Sequence, residues 1–179
     1  AWYATLDELL TAAPPDGVIL ATPNALHVPQ ALQCIAAGVP VLVEKPIAHT
    51  VADAQLLVQA TEAQQAKVLV GHHRAHSPIM AQAKAVIEEG RLGRLVSVMG
   101  SALFFKPDSY FVEAPWRTQV GGGPVLINLI HEIHNLRMLC GDIVDVQAMA
   151  SNAVRGFAVE DTAAIIFRFA SGVLATFLL

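Results

Sequence analysis

Residues 39–47, Val-Pro-Val-Leu-Val-Glu-Lys-Pro-Ile, constrain this chain more than any other stretch, because an apolar run passes directly into Glu44, Lys45 and Pro46. A β-branched run bounded by a proline predicts a strand buried on both faces, as in parallel sheets flanked by helices. Ligands bind at the carboxyl ends of such strands. A lysine there points a cation into the crevice, and the proline after it fixes the local turn. For an arbitrary Glu-Lys pair a solvated loop is the plainer reading. The surrounding sequence decides against it here.

Around this run, strands and helices alternate. Thr5 caps a short helix through Leu10, with Asp7 and Glu8 in its first turn. Pro14-Pro-Asp-Gly17 breaks it, and Val18–Ala21 is a strand. From His27 to Ala37, the residues Val28, Ala31, Leu32 and Ile35 recur at helical spacing, and Gly38 closes the helix. Thr50 precedes a helix over 51–65, and Lys67–Val70 is the next strand. This order implies a parallel sheet with right-handed crossovers.

The pattern changes at His76-Ser77-Pro78, where a helix begins that ends near Gly90. Beyond it, 95–103, 144–151, 163–169 and 173–179 read as strands, the last two joined as a hairpin through Ala170-Ser-Gly172. One helix, about 125–139, lies among them and ends at Cys140-Gly141. The expected fold is therefore α/β: a Rossmann-like parallel sheet over 1–75, then an α+β domain over 76–179 with a mainly antiparallel, open-faced sheet.

Hydrophobic residues make up 54% of the 179 and charged residues 15%, which is apolar against averages of about 45–50% and 25%. No apolar run approaches the roughly 20 residues of a membrane-spanning helix. The excess is expected in buried strands or on a surface that another chain covers. The 11 basic and 15 acidic residues are scattered, so no nucleic-acid footprint is expected. Cys34 and Cys140 stand apart in apolar helical patterns, which favours a reduced, cytoplasmic setting over a disulfide framework.

The segments Gly17-Val-Ile-Leu-Ala-Thr-Pro-Asn24, Ala37-Gly-Val-Pro-Val-Leu-Val-Glu-Lys-Pro46 and Lys67-Val-Leu-Val-Gly71 resemble the later part of the nucleotide domain of the Gfo/Idh/MocA oxidoreductases. Ala114-Pro-Trp-Arg117 and Gly121-Gly-Gly-Pro-Val-Leu-Ile-Asn-Leu-Ile-His131 resemble that family's catalytic-histidine segment. The resemblance implies an NAD- or NADP-dependent dehydrogenase for a sugar, polyol or cyclic alcohol. It also implies homo-oligomers associating through the second sheet. Within the same family an NAD-dependent glycoside hydrolase is an alternative. So is a non-catalytic binding or regulatory protein that keeps the fold.

By the same resemblance, Lys45 and His131 are the catalytic candidates. A lysine at a crevice lip stabilises alkoxide character on an alcohol oxygen. A histidine, with an ordinary pKa of about 6.5, takes and returns the hydroxyl proton. Thr22, Pro23, Asn24, His27, Glu44, Pro46 and Arg117, with Lys45, are implied as cofactor-binding. Asn128 joins Lys45 and His131 as substrate-binding. For Asn24 a helix-capping turn is an equal reading, and Glu44 is either counter-ion to Lys45 or a structural anchor. Ile127 and His134 stand where many members carry Asp. Since Asn128 is no base, the acid–base load would fall on Lys45 and His131.

His131-Glu-Ile-His134 superficially resembles a zinc helix, but its histidines are three apart rather than four, and no metal is expected. His72 and His73 are expected to serve at the surface or in ion pairs. The family's Gly-x-Gly-x-x-Gly turn does not occur: Gly121-Gly-Gly123 has Leu126 where the third glycine would fall. The chain is expected to be a fragment that lacks the first part of the nucleotide domain, stops inside a strand and binds NAD weakly by itself.

Overall fold

The structure is a computed structural model that describes residues 1–179. It divides into two compact units, Ala1–Gly71 and His72–Leu179. The division expected after residue 75 falls inside a single turn of 3-10 helix, His73–His76.

In the first unit α1 (Leu6–Ala12) starts at Thr5, whose hydroxyl accepts from Glu8 N at 3.2 Å. It is followed by β1 (Val18–Leu20), α2 (Asn24–Ala36), β2 (Val41–Val43), α3 (Val51–Ala63) and β3 (Val68–Val70). The strands pair in parallel in the order β1-β2-β3, with Leu20 opposite Val43 and Val43 opposite Val70. Their core is Leu20, Val41, Val43, Val28, Ile35 and Leu57, all under 6% exposed.

The expectation of a strand buried on both faces is not met. Ile19 and Leu69 are 73% and 68% exposed, and Leu42 between them is partly exposed. The reason is topological. Right-handed crossovers that advance steadily in one direction place α2 and α3 on the same face of the sheet, so the alternate side chains face away from both helices. Helix α2 also begins three residues earlier than its apolar period suggested. Pro23, with φ −57°, occupies its N-cap, and Pro29 is held inside the helix.

The second unit opens with the His73–His76 turn and α4 (Pro78–Glu88), capped by Ser77. Then come β4 (Ser97–Ser101), the short α5 (Asp108–Val112), a 3-10 turn at Pro115–Thr118, a π-helical turn at Val125–Leu129 and α6 (Ile130–Cys140). The last elements are β5 (Ile143–Ser151), β6 (Thr162–Phe169) and β7 (Leu174–Leu178).

The sheet order is β4-β7-β6-β5, antiparallel except that β4 runs parallel to β7. Strand β6 alternates strictly: Ala163, Ile165, Phe167 and Phe169 are buried and Thr162, Ala164, Ile166 and Arg168 exposed. Leu129, Leu136 and Cys140 of the helical segment pack on the buried face. No helix in either unit is long and apolar enough to cross a membrane.

Candidate functional site

In the first unit the three strands end side by side, and the residues after their carboxyl ends converge. Thr22 and Pro23 follow β1, Glu44, Lys45 and Pro46 follow β2, and Gly71 follows β3. His27 ties two of these loops together. It is 1% exposed, with Nδ1 2.7 Å from the Pro46 carbonyl oxygen and Nε2 2.8 Å from the Thr22 carbonyl oxygen. His27 thus fixes the positions of Thr22 and Pro46 from beneath.

Asn24 is 7% exposed, and the α2 N-cap is Pro23, without a side-chain capping bond. Asn24 is the first residue of α2. The Thr22 hydroxyl donates to Gln30 Oε1 at 2.7 Å. Glu44 Oε2 accepts from the backbone N–H of Lys45 at 3.2 Å. A Cβ on Gly71 would lie 2.9 Å from Glu44 Oε1, so a side chain there would push the Glu44 carboxylate from its place.

In the second unit, His131 sits in the first turn of α6 and is 5% exposed. The π-helical turn before it is the kind of irregularity that re-aims side chains at functional sites. Glu160 anchors the start of that turn by accepting from Val125 N at 2.7 Å. A Cβ on Gly123 would come within 2.8 Å of Glu160 Cδ, which accounts for one glycine of the run.

Imidazoles surround His131. His73 lies edge-on at 4.9 Å between ring centroids and His72 at 6.4 Å, and His72 stacks on His134 at 4.3 Å. Arg74 and Glu132 form an ion pair beside them, and Asn135 Nδ2 donates to Glu132 at 3.2 Å. Burial, together with the positive charges of Arg137 and His76, lowers the pKa of His134 from its ordinary value of 6.5. His134 is therefore neutral at pH 7.

The sequence reading placed His72 and His73 at the surface or in ion pairs; His73 is exposed and His72 partly so, but their approach to His131 was missed. Their position directly after the third strand of a parallel sheet was the available signal. No group of three or more His, Cys, Asp or Glu residues is arranged to hold a metal ion.

Asn128, one turn before His131, lines a cavity of about 430 Å³ with Tyr110, Phe111 and Phe157. The buried Ile127 is also in its wall. Arg117 donates through Nη1 to the Tyr110 carbonyl at 2.7 Å and packs over the Tyr110 ring at 3.8 Å.

Residues 80–179 match the GFO/IDH/MocA C-terminal domain, and residues 1–72 match the oxidoreductase-family NAD-binding Rossmann fold. The chain belongs to the Gfo/Idh/MocA oxidoreductase family. Its similarity to 1,5-anhydro-D-fructose reductase of Ensifer adhaerens is 34% identity, over 97% of this chain and 53% of that protein. To inositol 2-dehydrogenase of Rhodococcus erythropolis it is 32% identical, over 92% of this chain and 46% of that protein. Among solved structures, the WlbA dehydrogenase of Bordetella pertussis, in complex with NADH and UDP-GlcNAcA, matches with a TM-score of 0.94 and 27% identity. That match covers 99% of this chain and 52% of that one. This Gfo/Idh/MocA chain spans about half the length of the curated relatives it matches.

Proposed function

We propose that the chain contributes the nicotinamide-facing loops and the substrate domain of an NAD(P)-dependent oxidoreductase. The enzyme would act on a secondary alcohol of a sugar, polyol or cyclic alcohol, with residues 1–75 serving the cofactor and 76–179 the substrate. The observation that carries this reading is the placement of Thr22 and Asn24 after β1 and of Glu44 and Lys45 after β2, at the carboxyl ends of neighbouring parallel strands in a segment that matches an NAD-binding domain. These groups fit a nicotinamide riboside: hydroxyl, amide, carboxylate and ammonium suit ribose hydroxyls and a carboxamide, and Gly71 puts no side chain beside them. Arg117 is the candidate for the same end of the cofactor from the second unit.

NAD or NADP supplies the hydride acceptor or donor. In this proposal the Lys45 ammonium hydrogen-bonds the reacting hydroxyl and stabilises the negative charge that grows on its oxygen. His131 takes the hydroxyl proton in one direction and returns it in the other. Asn128 orients a neighbouring hydroxyl. Ile127 offers no base where many family members carry Asp, so proton transfer rests on Lys45 and His131.

The names of the relatives, a reductase and a dehydrogenase of cyclic polyhydroxy compounds, support the substrate class. We further propose a second copy of the chain as the partner of the open sheet face, and a reduced cytoplasmic setting in keeping with two buried, unpaired cysteines.

The test is steady-state turnover of the full-length protein on sugars and inositols with NAD and NADP. Lys45→Ala should lower kcat at least about a hundredfold, since a group aimed at developing charge is worth that much, and should change cofactor affinity far less. Near-normal turnover of that variant on the best substrate would reject the role of Lys45.

A further inference from the structure

The cavity that Asn128 enters has a chemical character that the dehydrogenase reading leaves unused. At about 430 Å³ it lies within the range of about 300–1,000 Å³ typical of small-molecule sites. Its wall is aromatic, from Phe104, Phe105, Tyr110, Phe111 and Phe157. Phe104 and Phe105 remain 56% and 87% exposed, although each presents a large apolar ring. Such rings form a flat wall suited to the C–H face of a cyclic polyol.

Four charged residues line the same cavity, and three of them are committed to the protein itself. The Glu160 carboxylate accepts from Val125 N. Asp161 accepts from Val154 N, Arg155 N and the Thr162 hydroxyl. Burial alone would push its pKa up, but the hydrogen bonds from Arg155, Thr162 and Val154, with the Arg155 charge, hold it below the usual carboxylate value. Arg155 pairs with Asp108 at 2.9 Å and donates to the Lys106 carbonyl.

Lys106 is the fourth. None of the six ion pairs includes it, and its Nζ lies 4.7 Å from the Tyr110 ring centroid and 5.7 Å from that of Phe104. The Tyr110 ring is shared with a second cation, Arg117, which no carboxylate pairs either. The Nε of Arg117 is buried without a hydrogen-bond partner. Two cations share one ring, partly withdrawn from water and neither in an ion pair, so an anion beside them would supply a charge partner that the protein does not.

We propose that this cavity binds an anionic substituent of the substrate, a carboxylate or phosphoryl group on a sugar or polyol, with Lys106 as its charge partner and the aromatic wall against the ring. The proposal deepens the dehydrogenase reading by naming its substrate class, and it rests on that reading only in treating the ligand as substrate. Binding is therefore measured apart from turnover.

Calorimetric titration of the full-length protein, with and without NAD, uses D-glucuronate, D-glucose 6-phosphate and D-glucose as probes. At least one acid should bind about tenfold or more tightly than glucose, as expected for one charge-assisted hydrogen bond. Which acid does so separates carboxylate from phosphoryl. Lys106→Met should abolish the preference, Lys106→Arg should keep most of it, and raising the salt concentration should weaken the acid selectively. Equal binding of acid and neutral probes, no binding of any of the three, or an equal loss for all three in Lys106→Met overturns the proposal. Charge-selective binding without turnover would support the subsite while rejecting the dehydrogenase.

Discussion

His27 shows how a single buried side chain links two of the loops that build a site. Removing it takes the ring away from the buried Pro46 carbonyl and the partly buried Thr22 carbonyl, and an unsatisfied buried group costs about 1–3 kcal/mol. His27→Ala should therefore destabilise the chain by at least about 2 kcal/mol in urea unfolding. A loss below about 0.5 kcal/mol would show that water replaces both bonds. His134 contributes a pH dependence. Its folded pKa lies below the ordinary 6.5, so between the two values the unfolded chain binds more protons, and stability rises with pH. The wild type should lose thermal stability as pH falls below about 6.5 toward the lowered folded value, and His134→Gln should lose less over the same window. Parallel pH profiles of Tm would contradict the assignment.

At the scale of elements, short strands and capped helices share the work. Helix α3 starts at Thr50, whose hydroxyl accepts from Asp53 N at 3.1 Å and donates to Asp53 Oδ2 at 2.6 Å. The N-cap also places Asp53 in the first turn, where the helix dipole favours it. Thr50→Ala should cost about 1 kcal/mol, read as a shift of the unfolding midpoint with unchanged slope. The π-helical turn before α6 has a different origin. Glu160, arriving from the loop before β6, holds Val125 N, so the helix start is set by a residue 35 positions away. An apolar period read along Val125–Leu139 carries no trace of that contact.

At the scale of the molecule, the second unit leaves one face of its sheet bare. Met99, Met149, Ile166, Leu174 and Leu178 point to that face and are 43–88% exposed. Beside them the Asp145–Arg168 pair spans 3.8 Å. Contiguous apolar area of this kind is the basis of the proposed contact between copies. Ile166→Glu, at a position about half exposed within one copy, should dissociate the proposed oligomer in light scattering while leaving the circular dichroism of the chain unchanged. A wild-type chain that stays monomeric at high micromolar concentration would refute the interface.

Local chemistry alone carried much of this protein. The β-branched run into Glu44-Lys45-Pro46, the Thr5, Thr50 and Ser77 caps and the period-two alternation of β6 are written in neighbouring residues. Strand and helix period, capping and proline geometry act over a few positions. Tertiary structure decided the rest. Ile19 and Leu69 are exposed because crossover handedness put both helices on one face of the sheet. His27 is buried because two loops from different strands meet over it. His72 and His73 face His131 because a turn some sixty residues upstream folds back onto α6. Each depends on groups far apart in the chain meeting in space, which no local period encodes.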